Sequence, residues 1–267
     1  MTEDTILFNE EFIISQWIAD MYEQSETQTD DVDFLLMVIG NKRQRILEIA
    51  CGSGRILVPM AKAGHHVAGM DFDECMLDKI HIKALGLDTI SWRKADVIKD
   101  NWGNDFDMVV IAGNFLFNVI SDMEYEKAQE CLIQKASEAL VPGGRLYIDY
   151  GYTIHPEEWF GNSDDIVVWE GTDSHGTFGR MVLSGGTYDR ETGYSKGIRR
   201  FELKTVKGET IIQELECVKH FATLDQIHGW LSSAGFTAWE EYGDYSRNPI
   251  GEGTSRAIIS AKKKASE

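Results

Sequence analysis

Residues 46–55 read ILEIACGSGR, and this stretch decides the fold. Its first half is a short apolar run typical of a buried strand, its centre is a Gly-x-Gly turn at Gly52 and Gly54, and the residues that follow have helical spacing. Glycines let the backbone approach a ligand closely, and a helix N-terminus offers unpaired N–H groups. The stretch predicts a ligand-binding turn, although a plain strand-to-helix turn gives the same pattern.

The sequence around this turn alternates short apolar runs with amphipathic stretches. The runs predict strands at Arg45–Ala50, Val67–Met70, Thr89–Arg93, Phe106–Ala112 and Arg145–Tyr150. The amphipathic stretches predict helices at about Gly54–Ala63, Glu74–Leu85 and Met123–Leu140, and residues 5–40 predict helices before the first strand. This alternation favours an α/β fold whose parallel sheet is covered by helices on both faces.

The pattern changes after Tyr150, where longer strands are separated by turn signals. Strands are predicted at Val167–Glu170, Phe178–Asp189, Tyr194–Val206 and Glu209–Phe221, with hairpin turns at 189–193 and 206–209. A helix that begins at the capping-box residue Thr223 and ends at Gly235 precedes two last strands, Phe236–Tyr242 and Arg256–Ala261. We therefore predict three parts: 1–150 with the N-terminal helices and core, an antiparallel cover over 151–222, and 223–267, which completes the core sheet.

The composition argues against several classes of protein. The 267 residues contain 26 lysines and arginines against 44 aspartates and glutamates, a formal net charge of -18 that repels nucleic acid. Neither a membrane span nor a signal peptide is expected, so the predicted location is the cytoplasm. The four cysteines lack metal-ligand spacing, and no disulfide framework or metal site is predicted.

Asp71 strengthens the ligand-binding interpretation of the turn. It ends the second predicted strand, where a carboxylate can accept both hydroxyl groups of a ribose that lies across the turn. An NAD-binding turn would use the same chemistry, but its G-x-G-x-x-G pattern requires glycine where this chain has Leu57. A nucleoside-containing ligand other than NAD is favoured.

These residues resemble the class I S-adenosylmethionine-dependent methyltransferases. The similar motifs are residues 48–55, Asp71, Ala95–Val97 and 140–145, in the family's order between Arg45 and Tyr150. The resemblance implies a Rossmann-like seven-stranded sheet, with helices on both faces and the antiparallel β cover inserted after the fifth strand. It also implies S-adenosylmethionine as cofactor, with S-adenosylhomocysteine as product.

The resemblance assigns roles to particular residues. Glu48 would lie near the methionine ammonium group, Asp71 at the ribose and Asp96 at the adenine amino group, although Asp96 could instead be a solvated acid or a helix cap. The full implied cofactor set is Glu48, Ala50, Gly52, Gly54, Arg55, Asp71, Phe72, Asp96, Val97 and Gly113. Ala50 stands where relatives often have glycine, and we expect it to keep a negative φ.

The acceptor is expected beyond the carboxyl ends of the strands, between residues 107–120 and the cover. Residues 112–117 and 242–245 resemble the glycine N-methyltransferase group and related small-molecule N-methyltransferases. The arginine that binds the substrate carboxylate in the glycine enzymes is missing from 149–152, so Arg180, Arg199 or Arg247 would have to replace it.

Asn114 and Tyr152 are the predicted catalytic residues, Asn114 orienting the acceptor and Tyr152 lining its pocket. Tyr150, His155 and His220 are weaker candidates, because packing or surface exposure explains each of them equally well or better. Trp17 and Tyr22 could form a lid over the cofactor or belong to the core. These last two assignments stay open at the level of sequence.

The sequence predicts methyl transfer to a small molecule, with an amine preferred as acceptor. The alternatives are a small-molecule O-methyltransferase, a non-catalytic scaffold or sensor that binds the cofactor, and an NAD-dependent oxidoreductase. The predicted partners are a small-molecule acceptor, with no nucleic acid and no membrane, and the chain is expected to be a monomer or a homodimer.

Overall fold

The structure is a computed structural model that describes residues 9–265. Its helices are α1 (Glu10–Ser25), α2 (Asp30–Ile39), α3 (Leu57–Lys62), α4 (Glu74–Lys83), α5 (Phe115–Asn118), α6 (Tyr125–Ala139), α7 (Pro156–Phe160) and α8 (Leu224–Ser233). Its strands are β1 (Arg45–Ile49), β2 (His66–Asp71), β3 (Ile90–Lys94), β4 (Phe106–Ile111), β5 (Leu140–Tyr150), β6 (Ile166–Thr172), β7 (Phe178–Tyr188), β8 (Tyr194–Lys204), β9 (Thr210–His220), β10 (Phe236–Tyr242) and β11 (Ala257–Lys263).

Seven strands form one sheet in the order β10-β11-β5-β4-β1-β2-β3. β1 pairs in parallel with β2 on one side and β4 on the other, with Ile46 opposite Val67 and Met108. β11 inserts antiparallel between β5 and β10. The strand order reverses between β1 and β4, and ligands of open α/β sheets bind at such a switch point. The predicted Rossmann-like sheet is confirmed.

The core lies on both faces of this sheet, as the continuous apolar runs predicted. Val109 and Ile111 of β4 pack with α6 and α8 on one face. Met108 and Val110 pack with α2, α3 and α4 on the other face. Burial on both faces fixes the register of the central strands, because a one-residue slip would exchange the two sets of side chains.

The cover is a separate antiparallel sheet in the order β6-β7-β8-β9. Its hairpins close where the turn signals lie: the Asp189 N–H donates to the Tyr194 carbonyl, and the Thr205 N–H donates to the Glu209 carbonyl. The predicted antiparallel cover after the fifth strand is therefore confirmed.

Some element boundaries differ from the prediction. The helix after the glycine turn begins at Leu57 rather than Gly54, because the turn occupies the intervening residues. β5 begins at Leu140, directly after α6, where the sequence predicted a strand from Arg145. The short helices α5 and α7 were not predicted; Pro156 at the start of α7 is a helix-start signal that sequence analysis missed.

Helix α1 joins the cover to the core. Trp17 is fully buried among Met181, Phe201 and Leu203 of the cover, and its indole N–H donates to the Gly171 carbonyl at 3.1 Å. On another side of α1, Asp20 pairs with Lys79 of α4. Trp17 is therefore a core residue, and the lid interpretation of this side chain is wrong.

Replacement of Trp17 by Ala should lower the free energy of unfolding by about 3–5 kcal/mol, because it empties the space between α1 and the cover. Phe12→Ala on the same helix is the matched control, since Phe12 is 52% exposed and should change little. Urea denaturation followed by circular dichroism measures both. Equal effects of the two substitutions would contradict the bridging role of α1.

Candidate functional site

The backbone of the glycine turn is held in left-handed conformations at the end of β1. Ala50, Gly52 and Gly54 have φ values of 51°, 52° and 77°. The expectation that Ala50 keeps a negative φ is wrong. The turn needs a left-handed residue at this position, and alanine adopts that conformation at a cost in strain.

The glycines of the site differ in what surrounds them. A Cβ atom added at Gly52 or Gly113 would meet no atom within 4 Å, so open space lies above the backbone at the ends of β1 and β4. A Cβ atom at Gly54 would come within 3.0 Å of Ile80 and 3.2 Å of Val58. Gly54 thus packs against α4, whereas Gly52 and Gly113 leave room for a ligand.

Asp71 ties the end of β2 to this turn. Its Oδ2 accepts the Gly52 N–H at 2.8 Å and its Oδ1 accepts the Asp73 N–H at 2.9 Å. Burial raises the pKa of this carboxyl group, and the backbone hydrogen bonds oppose the shift. An ionised carboxylate offers about four acceptor positions, so two remain for the hydroxyl groups of a ribose.

Glu48 carries an unsatisfied oxygen beneath the turn. The side chain is 4% exposed, and Oε2 has no hydrogen-bond partner within the described residues 9–265. Burial raises the pKa of Glu48 well above its usual value, the Arg55 charge opposes the rise, and Asp71 and Asp31 add to it. A buried carboxyl group of this kind is stabilised by a cation that reaches it.

Arg55 is bound by the N-terminal helices. Its guanidinium donates to both carboxylate oxygens of Asp31, to the Tyr22 hydroxyl at 3.3 Å and to the Gln28 carbonyl at 3.3 Å. These contacts hold the α1–α2 segment against the turn. They occupy the guanidinium, and a direct contact of Arg55 with the cofactor stays a prediction.

The Asp96 carboxylate caps a turn over residues 97–99, not a helix. Its Oδ1 accepts the Ile98 and Lys99 N–H groups at 2.9 and 3.2 Å, and its Oδ2 lies 3.5 Å from the Lys99 Nζ. Beside it, Val97 is buried, and Phe72 at the end of β2 is exposed. The proposed adenine contacts of these three residues stay predictions.

Asn114 connects the ends of β4 and β5. It adopts a left-handed φ of 59°, and its Oδ1 accepts the Gly151 N–H at 3.0 Å. The oxygen is thereby engaged, and the amide fixes the path of both strand ends. Asn114 is placed as a positioning residue, and its contact with an acceptor stays a prediction.

The other sequence candidates pack or face outward. Tyr152 stacks on Phe221 with ring centroids 5.7 Å apart, and Tyr150 is fully buried beside them. His155 lies on the surface 3.4 Å from Glu252. His220 is buried with its Nδ1 2.7 Å from the Gln129 Oε1, as a packed histidine.

A cavity of about 180 Å³ lies between the cover sheet and the core. Its core side is formed by Phe117 and Asn118 of α5, which follows Asn114 directly, and by Trp159 and Phe160 of α7. Its cover side includes Ser195, Gly197, Arg199, Cys217 and Lys219. Arg199 was a candidate from the sequence, whereas the aromatic residues of α7 and Lys219 were not. Alternation along β9 could have indicated Lys219, because it lies on the same face of the strand as the buried Ile211.

Comparison with known proteins identifies a methyltransferase domain in the chain. Residues 46–144 match the family model described as a methyltransferase domain. The chain carries a class I S-adenosylmethionine-dependent methyltransferase domain. It is 24% identical over 204 residues to the cypemycin N-terminal methyltransferase of a Streptomyces species, covering 76% of this chain and 77% of that protein.

Two solved structures show the same fold over most of this methyltransferase. An S-adenosylmethionine-dependent methyltransferase from Clostridium acetobutylicum ATCC 824 has a TM-score of 0.71 at 15% identity, covering 93% of this chain and 97% of that one. An amino pentose methyltransferase from Micromonospora echinaspora, solved with S-adenosylmethionine bound, has a TM-score of 0.64 at 15% identity, covering 92% and 97%.

The residues of the methyltransferase fit its cofactor. The unpartnered Oε2 of Glu48 supplies an acceptor for the methionine ammonium group, Gly52 and Gly113 leave open space, and Asp71 retains acceptor positions for the ribose. Among residues 9–265 no helix is long and apolar enough to cross a membrane. Over the same range, no three His, Cys, Asp or Glu side chains are grouped to hold a metal ion.

Replacement of Asp71 by Asn should weaken S-adenosylmethionine binding at least tenfold, because it removes a charged acceptor of ribose hydroxyl groups. Asp78→Asn is the control, since Asp78 is an exposed acid on α4 whose loss also removes one charge. Isothermal titration calorimetry measures both affinities, and thermal unfolding checks that the turn still forms. Unchanged affinity in the Asp71 variant would refute the ribose assignment.

Proposed function

We propose that this methyltransferase methylates an amine of a small molecule that is held beneath the cover sheet. The observation that carries the proposal is the cavity between α5, α7 and the inner face of β7–β9. Its volume of about 180 Å³ is smaller than the roughly 300–1,000 Å³ of typical ligand pockets, so it suits only a small acceptor. The acidic chain, with a net charge of -18, disfavours nucleic acid as the acceptor.

The aromatic wall suits a small organic acceptor. Phe117 and Phe160 stack with centroids 5.2 Å apart, and Trp159 meets Phe160 edge to face at 6.2 Å. These rings can exclude water and align an acceptor by shape. Because α5 begins one residue after Asn114, the aromatic wall is close in sequence to the strand end where the cofactor is expected.

The chemistry needs alignment more than acid–base assistance. When bound, S-adenosylmethionine supplies a methyl group on a sulfonium that is already a good leaving group. The protein therefore has to hold the acceptor lone pair in line and at near-attack distance. Asn114 contributes by fixing the ends of β4 and β5 through its bond to Gly151, and the Asn118 amide donates to the Asn114 carbonyl at 3.2 Å.

An amine is preferred to a hydroxyl group for two reasons. A neutral amine has a nucleophilic lone pair and needs no base during transfer, whereas a hydroxyl group benefits from one. His155 and His220, the histidines considered for that task, lie on the surface and in a packed interior position. The N-terminal methyltransferase that this chain resembles also supports a nitrogen acceptor.

Incubation with methyl-labelled S-adenosylmethionine should transfer label to one pool of small amines. The parallel pools are amino acids, amino sugars, phenols, protein and nucleic acid, and mass spectrometry locates the methyl group in the product. The Asp71→Asn variant is the control, because weaker cofactor binding should reduce the label at limiting cofactor. Label in phenols alone would establish O-methylation instead.

Two further results would contradict the proposal altogether. Label that enters only protein or nucleic acid would show that the cavity is not the acceptor site. Binding of S-adenosylmethionine without transfer to any pool would favour the alternative of a non-catalytic scaffold or sensor.

A further inference from the structure

Two cations face the cavity without an acidic partner. Lys219 of β9 is 7% exposed, and its Nζ lies 5.5 Å from the centroid of the Tyr125 ring. Arg199 on β8 is half-buried, and its buried Nε has no hydrogen-bond partner among residues 9–265. Across residues 9–265, no carboxylate oxygen comes within 4.0 Å of either cation.

The other arginines of the same sheet behave differently. Arg180 and Arg200 both pair with Glu202, at 2.5 and 2.9 Å. Because acids outnumber bases by 44 to 26 in this chain, partners for cations are abundant. A buried lysine and a half-buried arginine left without a carboxylate next to an open cavity therefore indicate that a ligand supplies the counter-charge.

The strand register shapes the space between the two cations. Ser195 lies opposite Lys219, Gly197 opposite Cys217, and Arg199 opposite Leu215. Ser195, Gly197 and Cys217, which have small side chains or none, therefore lie between the two cations. We call these three residues the floor of the cavity. The aromatic residues of α5 and α7 face this floor.

The remaining charged residues of the cavity wall are Lys196 and Asp164. Lys196 is exposed, and its positive charge favours the ionised form of Asp189 in the hairpin turn. Asp164 is exposed just before β6 and makes no ion pair with Arg199 or Lys219. The buried charge of the cavity is thus positive.

We propose that Arg199 and Lys219 bind an anionic group of the acceptor, a carboxylate or a phosphate. The inference rests on the proposed function, because it takes the cavity as the acceptor site. It narrows the acceptor to a small molecule that carries both an amine and an anionic group. The same cations disfavour an ammonium group nearby, and so favour the neutral amine that methyl transfer requires.

Binding of simple anions tests the site directly. Isothermal titration calorimetry with inorganic pyrophosphate and with acetate, at saturating S-adenosylhomocysteine, should show saturable binding of at least one probe to the wild-type protein. Arg199→Met and Lys219→Met should each weaken it at least tenfold. Arg180→Met removes an arginine that pairs with Glu202 away from the cavity, and should change the affinity less than twofold.

Either of two results would overturn the anion site. One is the absence of saturable binding of both probes to the wild-type protein. The other is an equal loss of binding in the Arg180 control. Pyrophosphate binding without acetate binding would identify a phosphate on the acceptor, and the reverse would identify a carboxylate.

The pH dependence of the protein's stability distinguishes a binding role of Lys219 from a structural one. Burial and the Arg199 charge lower the pKa of Lys219 to about 8, while Cys217 opposes the shift, and the facing group on α6 is Tyr125. Because the folded pKa lies below the unfolded value of about 10.4, the folded protein gains stability as pH rises from about 8 to 10. In anion-free buffer, Lys219→Met should unfold no lower than wild type at pH 7 and should lack this gain. Lower stability of the variant at pH 7 would contradict the inference.

Matched acceptors separate this inference from the proposed function. The pairs are glucosamine with glucosamine 6-phosphate, ethanolamine with phosphoethanolamine, and tyramine with tyrosine. Transfer to anionic members that falls at least tenfold in Arg199→Met supports both proposals. Transfer to neutral members with unchanged rates in Arg199→Met refutes the anion site alone. Anion binding that the variants abolish, without transfer to any amine, refutes the proposed function alone.

Discussion

The hydrogen bond from the Gly52 N–H to the Asp71 carboxylate is the contact on which the cofactor site depends. It joins the turn after β1 to the end of β2, so that two strands present their functional groups at one point. The left-handed backbone of the turn keeps the space above it open, and the unpartnered Glu48 oxygen lies beneath. Backbone geometry therefore preorganises the site. The strain of the left-handed turn is offset by the stability of the buried parallel sheet.

Most of the core could be predicted from the sequence, because its signals are local. The apolar runs at Arg45–Ala50 and Phe106–Ala112 are buried on both faces, and turn residues mark the hairpins of the cover. Ala50 could not be predicted correctly from its residue type, because its φ is imposed by the turn. Likewise, only tertiary contacts show that Arg55 binds Asp31 and that Asp96 caps its own turn.

The acceptor side was less predictable because it depends on how separate layers meet. α1 lies between cover and core through Trp17, and the position of the cover determines which residues enclose the cavity. Lys219 belongs to no sequence motif, and its proposed role follows from its burial and from the lack of an ion pair with any carboxylate among residues 9–265. If the cavity is the acceptor site, as we propose, acceptor specificity is a property of the interface between the two sheets, while cofactor binding belongs to the glycine turn.

A crystal structure with S-adenosylhomocysteine tests the central claim most directly. The account predicts that the ligand lies across the Gly52 turn, with its amino group within hydrogen-bonding distance of the Glu48 Oε2 and its ribose hydroxyl groups on Asp71. A ligand bound elsewhere, or one that leaves Glu48 and Asp71 without contacts, would contradict it.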